Sequence, residues 1–228
     1  MTPHEVLAQM DGDHDEVIRA NYRYVMTGGC DQARKCLRFP VYMMHEMKTS
    51  TGNRYIVMNV FDSKRDAMIH SYHSIYHAVV DTESGRVVIS KKVATDGLGE
   101  DCVFYFMPHL FKRYKERIGF EFDGMQLIRT FLKRNEEFIY HENYRRSKDN
   151  MDDVMYSCVD GAIFGTRHPQ HKESIIFKTF ISTETMQEGY KSEFSETFNE
   201  SLISEAIRLH STMPEMKFIK IRGKQQKQ

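Results

Sequence analysis

The chain has 228 residues, of which about 40% are hydrophobic, so it can bury a core as one large domain or two small ones. Lys plus Arg and Asp plus Glu both number 32, and this zero net charge removes any whole-chain electrostatic pull on nucleic acid and confines a basic patch to a local surface. No run approaches the roughly 18 apolar residues of a membrane span, the start Met1–Val6 lacks the pattern of a signal peptide, and Cys30, Cys36, Cys102 and Cys158 form no C-x2-C pair, so a reduced, cytoplasmic protein is expected, without membrane, disulfide framework or zinc knuckle.

Residues 3–26 read as a helix, with Asp13 or Asp15 as a cap, Val17, Ile18, Tyr22 and Val25 on its apolar side, and Gly28-Gly29 closing it. Residues 30–38 suggest a further short helix ended by Pro40, and 43–48 are ambiguous. Arg54–Phe61 is β-branched and aromatic, as a strand requires; Ser71–Val80 and Arg86–Val93 make a hairpin around the Asp81–Gly85 turn. After a Gly-containing loop, Cys102–Phe106 is a short strand. Pro108 suits the first turn of a helix that stops at Gly119, and a second helix follows from Asp123 towards Tyr140, carrying Met125, Leu127, Ile128, Phe131 and Leu132 on one side. Residues 144–153 are polar and loop-like. Val154–Val159 and Ala162–Gly165 flank Asp160-Gly161, a strong hairpin signal. Ser174–Ile181 is the next strand, and Ser182-Thr-Glu-Thr opens a C-terminal helical region that runs through Leu209; the end from Lys217 is basic, and its final few residues are expected to be disordered.

This order predicts an α+β protein with a mainly antiparallel sheet backed by helices. It divides into an N-terminal helical and hairpin region, 1–100, and a region 101–228 with the helix pair, antiparallel strands and C-terminal helix; the two can form one compact domain.

The segment that carries chemistry is Pro108–Arg117. As a helix it stacks His109, Arg113 and Arg117 along one side, one proton carrier near neutral pH with two permanent cations. Metal-independent RNA cleavage needs an acid or base on the 2′-hydroxyl and leaving oxygen, a role for His109, and cations on the phosphorus charge, a role for Arg113 and Arg117. Lys112 and Lys115 lie beside the stripe and add phosphate attraction. A basic surface helix with no such role fits the same residues.

The pattern His109-x3-Arg113-x3-Arg117, followed by a second helix, an Asp-Gly hairpin and a strand containing Lys178-Thr179-Phe180, resembles small bacterial domains with a His-x3-Arg-x3-Arg helix, grouped with the RelE/barnase/colicin-type ribonucleases. It covers about residues 105–182. The resemblance implies a helix pair on an antiparallel sheet, a toxin-type endoribonuclease without metal or cofactor, RNA as substrate and a neutralising protein partner. It marks His109, Arg113 and Arg117, and also Lys178 and Thr179, while Tyr105 is a further assisting group. The chain departs from such toxins in its extra N-terminal hundred residues and its lack of positive charge, which favour equally a non-catalytic phage or mobile-element protein whose His-Arg face binds a protein or nucleic acid.

Other histidines carry weaker readings. His70, His73 and His77 have a spacing that would gather three imidazoles on a helix for zinc, but the surrounding sequence is strand-like and no fourth ligand is evident. His168-Pro-Gln-His171 reads as an exposed loop. No H-E-x-x-H, dinucleotide, P-loop or nucleophile-elbow pattern occurs.

Overall fold

Thr2 and Glu5 start the fold. The Thr2 hydroxyl accepts from the Glu5 N–H, Glu5 returns a carboxylate to the Thr2 N–H at 2.7 Å, and Pro3 occupies the first turn, so α1 (Pro3–Tyr24) carries its own capping box. Neither Asp13 nor Asp15 is the cap. The computed structural model describes residues 2–92, 101–136, 138–140 and 153–185, and the C-terminal helix expected beyond 185 lies outside them. A π-turn, Val25–Gly29, leads to α2 (Cys30–Lys35), then β1 (Val41–Lys48), β2 (Arg54–Phe61), α3 (Lys64–Met68), β3 (His73–Thr82), β4 (Gly85–Lys92) and β5 (Cys102–Phe106). The helix pair α4 (Pro108–Ile118) and α5 (Gly124–Arg134) precedes β6 (Ile139–Tyr140), β7 (Asp153–Cys158), β8 (Gly161–His168) and β9 (His171–Ser182).

Among the described residues the nine strands form one sheet in the order β1-β2-β3-β4-β5-β9-β8-β7-β6. Two antiparallel meanders meet at its centre, where β5 and β9 pair in parallel, Phe104 opposite Ile175 and Phe106 opposite Phe177. The α+β class is thus correct, and the parallel joint is the departure from hairpin pairing.

Strand alternation explains how both faces are covered. In β2, β4 and β5 the residues Ile56, Val88, Phe104 and Phe106 face α4 and α5, packing with Leu110, Phe111, Tyr114, Leu127, Phe131, Phe177 and Phe180. Their neighbours Tyr55, Val57, Val87, Ile89 and Val103 face Val6, Met10 and Val17 of α1. A third cluster, Val25, Cys30, Ala33, Val41, Phe61 and Ala67, seals the end where the π-turn, α2 and α3 meet the sheet.

The second helix of the pair ends at Arg134, well short of Tyr140, because the next side chain, Asn135, is fully buried and turned to Asp160. Asp160 is the hub of this half. Its carboxylate accepts from the Tyr114 hydroxyl at 2.6 Å, from Arg134 Nε at 2.8 Å and from Asn135 Nδ2 at 3.1 Å, tying the β7–β8 turn to both helices. Gly161 follows in that turn, and a Cβ there would stand 2.9 Å from the Ser182 Cα and run into the Ile181 carbonyl. Gly161→Ala is therefore expected to lower stability by about 1–3 kcal/mol, since the obstructing atoms are backbone and cannot swing away. A thermal midpoint unchanged in that variant would refute the close approach.

Candidate functional site

The sequence of α4 places three apolar residues, Leu110, Phe111 and Tyr114, against the sheet and leaves the charged residues outside. His109 is exposed, with Arg113 half-buried four residues on. The Nε–H of Arg113 donates to His109 Nε2 at 3.3 Å, and its Nη1 binds Glu116 at 2.9 Å. Arg117 is turned inward and donates to the Phe180 carbonyl of β9. Burial, and then the neighbouring Arg113, pull its pKa down without removing its charge. The stripe therefore exists, but its third member is bonded to the sheet.

Lys112 is exposed, and Lys115 pairs with Asp123 ahead of α5. Both line an open groove of about 630 Å³ between α4, the start of α5 and the β3–β4 hairpin, floored by Pro108, Phe111, Leu127 and Ile128. Asp81 and Arg86 of the hairpin face them across it, with Arg86 Nε on Asp81 at 3.0 Å. His109, Arg113 and Arg117 do not line this groove. Lys112 is its one cation without an ion pair among the described residues.

The remaining marked residues lie elsewhere. Tyr105 follows Val103 on the α1 face of the sheet, opposite to α4, and packs with that face's cluster. Its hydroxyl is buried without a hydrogen-bond partner among the described residues, and burial raises its pKa. Thr179 pairs with Phe164, whose cluster with Met155 and Ala162 is separate from the one that holds α4. Lys178 is exposed at the register shift where Phe164 pairs with Thr179 but Gly165 pairs with Phe177. Tyr105 and Thr179 are thus separated by the sheet from His109.

The other histidines are placed by the strands. His70 precedes β3 in a positive-φ turn, and His73 and His77 pair with Val60 and Ile56. Among the described residues no three His, Cys, Asp or Glu side chains cluster as metal ligands. His171 is not part of an exposed loop: it is 7% exposed, with Nδ1 3.0 Å from the Ser174 hydroxyl and its ring edge-on to His4. No helix among the described residues is long and apolar enough to cross a membrane.

Spacing alone missed the groove, because its walls come from a hairpin and two helices far apart in the chain. The nearest signal in the sequence is the Asp81–Gly85 turn, which by itself says nothing of a groove.

No protein-family model, curated protein or solved structure matches this chain. Chemically, the outer side of α4 offers positive charge from Lys112 and Arg113 beside the His109 imidazole, next to a groove with a balanced, mostly paired rim.

Proposed function

We propose that the chain is an RNA-directed binding protein that acts without cleaving, with the outer side of α4 as its phosphate-contacting surface. One observation carries this reading: His109 and Arg113 project from a helix flank outside the groove, while Arg117 is held by the Phe180 carbonyl. In-line cleavage needs a base and an acid on opposite sides of an enclosed phosphate. Among the described residues the hydrogen-bond partner of His109 is Arg113, a donor that cannot give up its proton. Phosphate binding makes no such demand, and exposed Lys112 with half-buried Arg113 beside it suffices.

The ribonuclease reading stands second. The Arg113–His109 hydrogen bond favours it, because it directs an imidazole lone pair to a phosphate-binding guanidinium and leaves Nδ1 to carry a proton.

One experiment separates the two. A labelled single-stranded RNA is mixed with protein in EDTA, and retention and integrity are read together at about 50 and about 200 mM salt. Binding is expected to leave the RNA intact, to fall with salt, and to weaken about tenfold in Lys112→Ala/Arg113→Ala. Cleavage that His109→Ala abolishes would replace this proposal with the ribonuclease; intact RNA with no retention at either salt would remove both.

A further inference from the structure

The end of the sheet that the π-turn, α2 and α3 seal lies apart from the α4 surface: no residue of α4 or of its groove belongs to the cluster there. Its outer side is apolar where water meets it. Ile18, Tyr22 and Met26 follow at four-residue spacing down the flank of α1 into the π-turn, and all three are exposed. Leu37, in the connection from α2 to β1, is 96% exposed. Met68 and Ile69, where α3 ends, are 61% and 62% exposed. These are six of the nine large apolar side chains exposed among the described residues, so they are gathered rather than scattered. The elements that carry them are held together from beneath, since Val25, Cys30, Ala33 and Ala67 share one buried cluster.

The charge at this end is positive. Arg19, Arg23, Lys35, Arg38, Lys64 and Arg65 are all exposed, and none has an ion pair among the described residues. Arg34 is taken by Asp31. The carboxylates do not offset the six. Asp66 is buried and accepts from the Ser63 hydroxyl at 2.7 Å, Asp62 is half-buried, and Glu16 is bonded to Ser50 beyond the other end of β1. Asp15, one turn before Arg19, is the exposed acid beside them. The whole chain is neutral, so this excess is local and calls for an anionic partner. The apolar tips narrow its kind. They come singly from separate elements, each next to a cation: Leu37 between Lys35 and Arg38, Met68 and Ile69 after Lys64 and Arg65. A folded partner would need a separate pocket for each tip. The boundary between lipid headgroups and acyl chains accepts them all, while the Lys and Arg stems reach back to the phosphates.

We propose that this end of the molecule docks on an anionic membrane surface, with Leu37, Met68 and Ile69 entering the headgroup boundary and Lys35, Arg38, Lys64 and Arg65 on the lipid phosphates. This is contact with a surface and not a span, for which no described helix is long and apolar enough. It is independent of the RNA-binding reading, which uses α4.

The chain has no tryptophan, so Leu37→Trp places a single fluorescent reporter on this surface. The full-length variant is mixed, at about 0.1 M salt, with phosphatidylcholine vesicles that contain phosphatidylserine or lack it. A blue-shifted emission and co-sedimentation are expected with the anionic vesicles and not with the neutral ones. Val159→Trp, at an exposed position between β7 and β8, should give no shift. Arg38→Ala/Lys64→Ala should weaken sedimentation about tenfold or more, because each cation near an anionic surface contributes several-fold. Leu37→Ser/Ile69→Ser should weaken it at unchanged charge. All these side chains are exposed, so their replacement leaves the core untouched, and circular dichroism checks folding. No binding to anionic vesicles, equal binding to neutral ones, or binding indifferent to Leu37→Ser/Ile69→Ser would each overturn the proposal. RNA retention that Arg38→Ala/Lys64→Ala abolishes, without vesicle binding, would reassign the surface to nucleic acid. A blue shift that rises with protein concentration in the absence of vesicles would reassign it to a second copy of the chain.

Discussion

Asp160→Ala is expected to cost about 3–5 kcal/mol, a large part of the 5–15 kcal/mol that a domain typically has. The Arg134 ion pair is the smaller part of this. Arg134 is 49% exposed and regains water when its partner goes, whereas the Asp160 carboxylate is 5% exposed. The cost falls on the Tyr114 hydroxyl and the Asn135 amide. Both residues are fully buried, and each lost acceptor costs about 1–3 kcal/mol. The same loss unpins the β7–β8 turn from α4 and α5. Urea unfolding measures it, and a variant within 1 kcal/mol of wild type, as surface changes usually are (about ±0.5 kcal/mol), would show that the hub is dispensable.

Acidification should destabilise the fold well before the carboxylates protonate. His77 is 6% exposed; its Nδ1 lies 2.6 Å from the Ser90 hydroxyl, and its Nε2 is buried without a hydrogen-bond partner among the described residues. Burial pushes its pKa down from 6.5 to about 4. The unfolded chain therefore takes up this proton near pH 6.5 while the folded chain refuses it until about 4, so stability falls as pH drops across that window and levels below it. At roughly 1.4 kcal/mol per pH unit the loss is about 3 kcal/mol. His45, stacked on Tyr24 and lowered first by burial and then by Arg129, adds in the same direction. Asp160 acts in a separate window. Burial would raise its pKa, but Arg134 and Tyr114 hold it below 3.8, so its contribution is lost only as pH falls beneath that value. Urea midpoints from pH 7.5 to 4 check the slope. His77→Gln should flatten it, and an identical slope in that variant would assign the loss to other groups.

Local patterns were legible in the sequence and long-range ones were not. Pro108 and Gly119 bounded α4 because both act on their own backbone, and Asp160-Gly161 marked its turn for the same reason. Residues 43–48 were ambiguous because β1 is an edge strand half-buried on both sides, which erases clean alternation. The five-residue α3 is too short for a helical period, and Ser63 caps it without an apolar stripe. Asp13 has the composition of a cap, and nothing in its neighbourhood announces its actual partners Thr49, Thr51, Asn53 and Tyr55, which lie a helix and a strand away. The site was legible to the same extent. Helical spacing aligned His109 with Arg113, but no spacing rule shows that Arg117 meets Phe180 or that Tyr105 faces α1.

The parallel joint has a consequence for synthesis on the ribosome. The Val103 N–H is taken up by the Ser174 hydroxyl, 71 residues later in the chain. At about 5–20 residues per second, β5 emerges roughly 4–14 seconds before the strand that closes it. During that interval the first meander and then α4 and α5 can assemble, but Phe104 and Phe106 still lack Phe177 and the strand that pairs with their edge. The nascent chain thus displays an open strand edge carrying Phe104 and Phe106 until β9 arrives to pair with it.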